Sequence, residues 1–558
     1  MKVLLWRYSD LLFGEVSTRF GVEISRKLLN LLAALNPVGY KDKDLLREMA
    51  EFVGMSEAEL ISALDKLEEG GVVTRRGYTL KIAPDFIAEY ILEEACLTKK
   101  GEPTGYADLA YEKFGQFSST RLFRNLAELD WRVRNSSHPD TKLFDGIWRM
   151  TQEKFRAADH FRRKTLLDGL QAIAFIQAKR VLPLAEYGMH NPASEPEEKS
   201  WYIRFDHTKV LRAIPPLLEA VAQDEQFLPR CCELLWELEG LEECRVTAVK
   251  ALQNLARYSP YRSVDEQQVV LDSAEKWMPE PDADRASAVL GAVDQVLRKN
   301  DHVDQSTGTR IISSVVIVQR ESTRALRERA LGIIKACALS GNVRIALRAI
   351  QSLKCALLDP SPLFGQEVAD EDRLQWLPEQ TQIFEIIEEV ATQYNDPFVH
   401  LGIADAIGWE AMYSPVSEIK ERARLIAQKI PDSYEIRLVQ ALHWEFDYLH
   451  LQVDLGERGE KEDHFAKGQA VSEMCRALAD EFVTRNPRAE DGLDELNRWM
   501  RLIQESGWNP RPWTLHNSFL ENVADRHPDY AARICEKLVT EPDYLMAARS
   551  GDLLTVLR

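Results

Sequence analysis

The chain has 558 residues, which is too many for one hydrophobic core and indicates several domains or an array of repeats. Its composition, 45% hydrophobic and 28% charged, argues against general disorder. The net charge of −19 opposes non-specific attraction to nucleic acid or to an anionic membrane surface.

The first residues, "MKVLLWRYSDLLFGE", hold an apolar run too short for the core of a signal peptide. No later uncharged apolar run is long enough to span a bilayer. The eight cysteines form no CxxC pair, and most lie in apolar stripes at helical spacing. This pattern is typical of core thiols in a reduced compartment, so we predict a cytoplasmic protein with no membrane contact.

Residues 55–84, "MSEAELISALDKLEEGGVVTRRGYTLKIAP", read as a helix followed by a two-stranded ribbon. Ser56 is a helix cap, with Glu59 at the reciprocal position of a capping box. An apolar stripe follows at helical spacing, formed by Leu60, Ala63, Leu64 and Leu67. Strands are predicted at 72–75 and 78–82, with the turn at Arg76-Gly77. After the helical stretches 23–35 and 42–53, this is the order of a winged helix.

The charges of the last of these helices oppose DNA binding. A helix that enters the major groove needs basic residues on its outer face. Here a single Lys66 stands among five carboxylates, those of Glu57, Glu59, Asp65, Glu68 and Glu69. Two cations in the ribbon, Arg75 and Arg76, make a poor phosphate clamp beside them. We therefore expect this helix to pack against other domains and do not expect it to bind nucleic acid.

From about residue 140 the sequence reads as helices separated by short polar breaks, after a hinge at 134–141. One helix pair turns at Ser340-Gly341, and another helix begins with Asp396 as its cap and Pro397 at its first position. The pairs share no strict period, which favours irregular HEAT- or armadillo-like pairs of roughly 40 residues. The predicted fold is mainly α: a small winged helix followed by an irregular α-solenoid, with the only clear sheet near 72–82. The predicted divisions are a helical lead-in at 1–22, the winged helix with its following helices at 23–133, and the helical-repeat region at 140–558.

The sequence contains no GxxxxGK[ST] phosphate loop, HExxH, GxSxG or EF-hand motif, so no enzyme and no cofactor are expected. His443, Asp447 and His450 have the i, i+4, i+7 spacing of a shared helical face and form a metal hypothesis, but a polar helix edge is the preferred interpretation. A core-like setting favours buried thiols over a ligand set for Cys231, Cys232 and Cys244. Core positions are likewise predicted for Trp131, Trp236, Trp277, Trp376, Trp409 and Trp444.

One basic patch departs from the acidic background, in "QRESTRALRERA". Arg320, Arg324 and Arg327 share a helical face by their i, i+4, i+7 spacing, and they are the candidate partner-binding residues. Planar guanidinium groups suit phosphate or carboxylate. The alternative, which we prefer, is a solvated face paired with Glu321 and Glu328.

Several stretches carry a family resemblance: "EEGGVVTRRGYTLKIAPDFIAEYILEEACLTKKGEPTGYAD", "LLDPSPLFG", "WLPEQ" and "KIPDSYEIRLVQAL". They resemble the region downstream of the nucleotide-binding core in bacterial STAND proteins, the signal-transducing ATPases with numerous domains. Pro84, Asp85 and Tyr90 stand at matching places after the winged helix. The phosphate loop and ATPase core that define the family are missing here. The resemblance thus implies a nucleotide-binding domain supplied in cis or in trans, or lost.

In that family the winged helix packs on the nucleotide module, and the helical array recognises a trigger. The resemblance implies a non-enzymatic recognition or regulatory module with a protein or other trigger molecule as partner, as in anti-phage defence or stress signalling. The trigger contact is expected on the solenoid between about residues 200 and 450. The alternatives are a transcriptional regulator that uses the winged helix on DNA, and an enzyme with a site around His443.

Overall fold

The computed structural model describes residues 21–115, 119–136, 138–194, 206–259, 263–278, 283–307, 310–360, 369–443, 464–506 and 515–540. The chain forms two compact units, Met1–Leu252 and Gln253–Arg558. The predicted hinge at 134–141 lies inside the first unit, and the domain boundary expected there stays a prediction. The predicted lead-in at 1–22 lies almost wholly outside the described residues.

The first unit begins with a winged helix. Its elements are, in chain order, α1 (Val22–Ala34), β1 (Val38–Gly39), α2 (Lys43–Val53), α3 (Glu57–Glu69), β2 (Val73–Arg76) and β3 (Thr79–Ile82). The three strands form an antiparallel sheet in the order β1-β3-β2. β1 is a two-residue strand that was not predicted, and it adds a third strand to the predicted ribbon.

Local sequence signals determine the ends of α3. Ser56 Oγ accepts a hydrogen bond from Glu59 N, and Ser56 N donates to Glu59 Oε2 at 2.9 Å, so the predicted capping box is present. The ribbon turns at Gly77, whose φ of 58° favours glycine. The predicted apolar stripe of α3 is buried throughout. Burial of each of its leucines contributes roughly 1.5–3 kcal/mol, which holds α3 against its neighbours.

The rest of the first unit is helical. Its helices are α4 (Asp85–Cys96), α5 (Tyr106–Phe114), α6 (Ser119–Ser136), α7 (Asp145–Ala157), α8 (His160–Leu170), α9 (Ala178–His190), α10 (His207–Val221), α11 (Leu228–Glu239) and α12 (Glu242–Ala256), the last crossing into the second unit. α4 packs on α1, which ties the winged helix to the helices after it. α10 packs on α8, α9 and α11, so helix-on-helix contacts form the remaining core.

The second unit is a stack of helix pairs followed by a further helical group. The stacked helices are α13 (Val264–Trp277), α14 (Ala283–Val296), α15 (Arg320–Ala338), α16 (Val343–Leu357), α18 (Leu377–Gln393), α19 (Pro397–Tyr413), α20 (Ser417–Ala427) and α21 (Tyr434–His443), with the short α17 (Asp370–Leu374) before α18. The helices that follow are α22 (His464–Arg485), α23 (Ala489–Glu505), α24 (Leu515–Arg526) and α25 (Pro528–Thr540).

Contacts within the stack define two layers. α13, α15, α18 and α20 contact one another in succession and form the first layer, while α14, α16, α19 and α21 form the second layer in the same way. Most helices of the stack therefore pack on a chain neighbour and on the next helix of their own layer, which is how helical-repeat proteins bury their apolar faces. The predicted fold class is confirmed: mainly helical, with a small winged helix followed by irregular helix pairs.

The predicted helix signals in the stack are also confirmed. α15 and α16 meet at Ser340-Gly341, where Gly341 has a φ of 80°. Asp396 caps α19 by accepting hydrogen bonds from Phe398 N and Val399 N, with Pro397 at the first helical position. Local sequence signals therefore predict where these helices of the two layers begin and end.

The prediction of a single sheet is wrong. A hairpin interrupts the stack between α14 and α15, with β4 (Asn300–Thr307) and β5 (Arg310–Ile317) antiparallel and Asn300 paired with Ile317. The sequence contains a signal for it, because "RIISSVVI" is rich in β-branched residues, which favour strands over helices. A uniform helical period therefore does not hold across this run.

Candidate functional site

The structure does not place the three predicted arginines on one exposed face. Arg327 is 1% exposed, whereas Arg324 is exposed and Arg320 is half-buried. The prediction that Arg327 offers its guanidinium to a partner is wrong, because this group is already enclosed by the second unit. The physical reason is that Arg327 also lies on the buried stripe of α15, at i+4 from Thr323 and at i−3 from Ala330.

Arg327 forms a buried ion pair with Glu379 on α18. Its Nε donates to Glu379 Oε2 and its Nη2 to Oε1, both at 2.7 Å. The remaining donors reach backbone carbonyls at the end of α14: Nη1 donates to Val296 O and Arg298 O at 3.0 Å, and Nη2 to Leu297 O at 2.8 Å. The last carbonyls of a helix have no intrahelical partner, so Arg327 caps α14 from outside. This contact fixes the point at which β4 leaves the stack.

Lys299 lies beside this pair and is also buried. Its Nζ donates to Leu357 O at 3.1 Å and lies 5.7 Å from the centre of the Trp376 ring. Burial lowers the pKa of Lys299 to about 8, against the attraction of Glu379 and other carboxylates. Burial also raises the pKa of the neighbouring Glu410 carboxyl. The cluster lies inside the stack, and its geometry serves to hold helix ends together.

The lowered pKa of Lys299 predicts a dependence of stability on alkaline pH. Between about pH 8 and pH 10.5 the unfolded chain holds the proton of this lysine and the folded chain does not, so its contribution to stability rises with pH. We expect the difference in unfolding free energy, wild type minus Lys299→Met, to shift toward the wild type by about 2 kcal/mol from pH 8 to pH 10. Urea unfolding of both proteins across this range measures it. A difference that stays constant or moves toward the variant contradicts the assignment.

Arg324 is held by two carboxylates of its own helix, and the backbone of Arg320 is held by Gln375. Arg324 Nε lies 2.9 Å from Glu328 Oε1, and its Nη1 lies 3.7 Å from Glu321 Oε1. The backbone N of Arg320 donates to Gln375 Oε1 at 3.0 Å. For Arg324 the structure therefore matches the preferred alternative of a solvated side chain paired with both glutamates. Binding of a partner by Arg320 and Arg324 stays a prediction.

The winged helix presents an acidic outer surface. Glu57, Glu59, Asp65 and Glu69 on α3 are exposed. The Arg75 guanidinium reaches back from β2 to α3, with Nη2 2.8 Å from Asp65 Oδ1 and Nε 2.9 Å from Glu68 Oε2. One of the two ribbon cations thus neutralises carboxylates of its own domain. Its charge is not available for a phosphate backbone.

The metal and thiol hypotheses have separate outcomes. Asp447 and His450 lie outside the described residues, as does Trp444, so the metal hypothesis at His443 stays untested. Within the part of the chain that the structure describes, no group of three metal-ligating side chains comes together.

Cys231, Cys232 and Cys244 are fully buried, which confirms the core interpretation. Burial raises the pKa of both the Cys231 and the Cys244 thiols, so neither is poised as a thiolate.

The tryptophans divide into two classes. Trp236 and Trp376 are buried as predicted, and Trp277 is half-buried. For Trp131 and Trp409 the prediction is wrong, since they are 43% and 59% exposed. α19 is buried on nearly every side, so its hydrophobic period gives no sign of which position faces out. Sequence reasoning missed Trp409 for that reason.

Trp409 belongs to an outward surface of the second layer, which we call the second-layer surface and define by Lys354, Asp405, Trp409 and Tyr413. Trp409 and Tyr413 are one helical turn apart, and their ring centres are separated by 4.6 Å. Asp405, one turn earlier, pairs with Lys354 of α16 at 2.7 Å. Arg348 of α16 in turn pairs with Asp294 of α14 at 2.5 Å. Ion pairs thus join α14, α16 and α19, and α19 carries the exposed aromatic pair.

No family model matches this chain, and no curated protein does. Among solved structures the chain is similar to an engineered protein, with 13% identity over 89% of this chain and 98% of that one and a TM-score of 0.24. It is also similar to UNC-45 from Drosophila melanogaster, with 12% identity, 90% and 68% coverage and a TM-score of 0.22. A third is Kap121p bound to RanGTP, with 11% identity, 96% and 56% coverage and a TM-score of 0.23. The fold class rests on the helix stacking described above.

Among the helices in the described part of the chain, none combines the length and the apolar character needed to cross a bilayer.

Proposed function

We propose that this chain is a non-enzymatic recognition module whose second-layer surface binds a protein trigger in the cytoplasm. The observation that carries the proposal is the exposed Trp409–Tyr413 pair on a rigid stack of helices. Tryptophan and tyrosine are enriched among the residues that dominate binding energies, since they bury large areas and lose little side-chain freedom. An exposed pair of this kind on a helix that is otherwise buried is suited to a partner's apolar pocket.

The surroundings of the pair also suit a protein partner. The Lys354–Asp405 ion pair includes a residue one helical turn before Trp409 and so places polar groups near the rings, and protein interfaces have an apolar centre with a polar rim. The position falls within the range 200–450 expected for the trigger contact. The candidate therefore moves from the Arg320 face to the second-layer surface.

The resemblance to the sensor half of a STAND ATPase supports a regulatory role for this contact. In that setting the trigger binds the helical stack, and the winged helix packs against a nucleotide-binding domain supplied in cis or in trans. The acidic surface of α3, with Arg75 held by its carboxylates, suits packing on a protein better than binding DNA. The defence or stress context is part of the proposal and rests on the resemblance alone.

Trp409→Ala is expected to lower the recovery of the bound partner at least about tenfold, because truncation of a central tryptophan commonly costs 2 kcal/mol or more of binding energy. The measurement is affinity purification of the full tagged chain from its native cells, with quantitative mass spectrometry. Trp131→Ala, at an exposed tryptophan of the first unit, is the matched control and should recover the partner like the wild type. Indistinguishable sets of recovered proteins from all three chains contradict the proposal.

The alternative, a winged-helix transcriptional regulator, is separated by an electrophoretic shift assay at low and moderate salt. We expect only weak binding that disappears as salt rises, because counterion release governs non-specific contact. Tight, sequence-selective binding at moderate salt reverses the ranking of the two functions. ATP turnover by the purified chain contradicts the non-enzymatic part of the proposal.

A further inference from the structure

A basic cleft lies in the first unit, far along the chain from the second-layer surface. It forms where the end of α6, residues 138–142, the start of α7 and the middle of α9 meet, and its volume is about 480 Å³. Its polar lining includes Arg134, Thr141, Lys142, Lys179 and Arg180. The apolar part of the lining consists of Pro139, Trp148 and Pro183. A cleft of this size is typical of sites for small ligands.

The two arginines of the cleft are fixed by carboxylates. Asp130 is fully buried and lies 3.1 Å from Arg134 Nε and 3.7 Å from Arg180 Nη1. Gln177 Nε2 donates to Asp130 at 3.1 Å, and Arg180 also pairs with Asp145. The guanidinium groups are therefore held in place before any ligand arrives, which reduces the entropy lost on binding.

The two lysines of the cleft are different. Lys142 and Lys179 are exposed, and among the described residues no carboxylate lies within ion-pair distance of either ammonium group. The hydroxyl of Thr141 adds an unused polar atom, since this residue is 8% exposed and its Oγ1 has no hydrogen-bond partner among the described residues. A buried hydroxyl without a partner costs free energy unless a ligand or water completes it. The two ammonium groups and the hydroxyl indicate that the cleft binds an anion.

The charge balance of the cleft also favours an anion. Four cationic side chains face two carboxylates in the lining, Asp140 and Asp145, with the buried Asp130 behind them. The excess is positive in a chain whose net charge is −19. Attraction of an anion to this acidic protein requires such a local cationic site.

We propose that the cleft binds a small phosphate ester. Lys142, Lys179 and the Thr141 hydroxyl contact the phosphate, and the organic group lies against Pro139 and Trp148. A phosphate ester carries about −1.5 to −2 charges at neutral pH and three strong acceptor oxygens. Two ammonium groups and one hydroxyl supply donors for its three oxygens, whereas a carboxylate has only two oxygens to accept them. This site is independent of the trigger contact proposed above.

The proposal is tested by isothermal titration of the full chain with three probes: inorganic phosphate, glucose 6-phosphate and adenosine monophosphate. At least one ester should bind saturably and more tightly than inorganic phosphate, because only an ester uses the apolar wall. The double variant Lys142→Gln/Lys179→Gln should weaken that binding at least about tenfold, the effect expected when two charge-assisted contacts are lost. Thr141→Val should weaken it by a smaller factor.

The matched control is Lys113→Gln, at another exposed lysine of the first unit. Its affinity should equal that of the wild type, and the melting temperatures of the lysine variants should be unchanged because these side chains are exposed. The absence of saturable binding of every probe by the wild type overturns the proposal. Equal affinities of the wild type and the double variant overturn it as well. Binding of inorganic phosphate as tight as that of both esters removes the role given to the apolar wall and overturns the ester assignment.

Discussion

Arg327→Met is expected to lower the free energy of unfolding of the second unit by about 3–5 kcal/mol. The substitution leaves the Glu379 carboxylate buried without its partner, and an unpaired buried charge is among the most destabilising features that a point mutation creates. It also removes the donors for three carbonyls, those of Val296, Leu297 and Arg298. The loss should be detected as faster hydrogen exchange in peptides from α15 and α18 during denaturant titration.

The matched control is Arg324→Met on the same helix. Its guanidinium is exposed and pairs with two exposed glutamates, so we expect almost no change in the free energy of unfolding. The double variant Arg327→Met/Glu379→Met should recover part of the lost stability, because it removes the uncompensated carboxylate while the three carbonyls stay unsatisfied. Similar unfolding midpoints for the Arg324 and Arg327 variants contradict the structural role given to the pair.

Leu64→Asp is expected to unfold the winged helix. Leu64 is 3% exposed in the centre of the buried stripe of α3, and a carboxylate there has no cation to pair with on that stripe. The cost combines the lost burial of a leucine with the burial of a charge, several kcal/mol together. A domain of this size has little stability to spare. Limited proteolysis followed by mass spectrometry should show rapid cleavage within residues 43–82.

Glu68→Ala, one turn further along α3, is the control. Its carboxylate lies on the outer side of the helix and pairs with Arg75, so its removal should cost well under 1 kcal/mol and leave the domain protected. Equal protease sensitivity in both variants means that the stripe of α3 faces solvent. The same outcome removes the structural basis for an acidic packing surface.

Features encoded within a few residues could be predicted from the sequence. The capping box of Ser56 and Glu59, the turn at Gly77 and the cap of α19 at Asp396 each depend on residues next to one another, so a pattern predicts them directly. The hydrophobic period of the sequence likewise predicts the succession of helices in the stack. The hairpin was missed although its β-branched run is equally local.

The candidate site could not be predicted to the same extent, because its partners are distant along the chain. The i, i+4, i+7 spacing of Arg327 with Arg320 and Arg324 suggested one surface, but Arg327 also follows Thr323 on the buried stripe. The ion pair with Glu379 places Arg327 on the buried stripe and not on the exposed surface. No pattern within α15 predicts this pair, because Glu379 lies on α18. Trp409 was missed for a different reason: a helix that is apolar on all sides has no period that identifies its exposed position.

The two-layer packing of α13 to α21 has a consequence for how the chain acquires its structure. Most of the helix contacts in this stack join elements one or two places apart in the chain, so loop closure between them is short and costs little entropy. Low contact order of this kind favours rapid folding that starts at any pair and spreads to its neighbours. During synthesis, each helix pair that leaves the ribosome can pack on the pair before it while the rest of the protein is still being made.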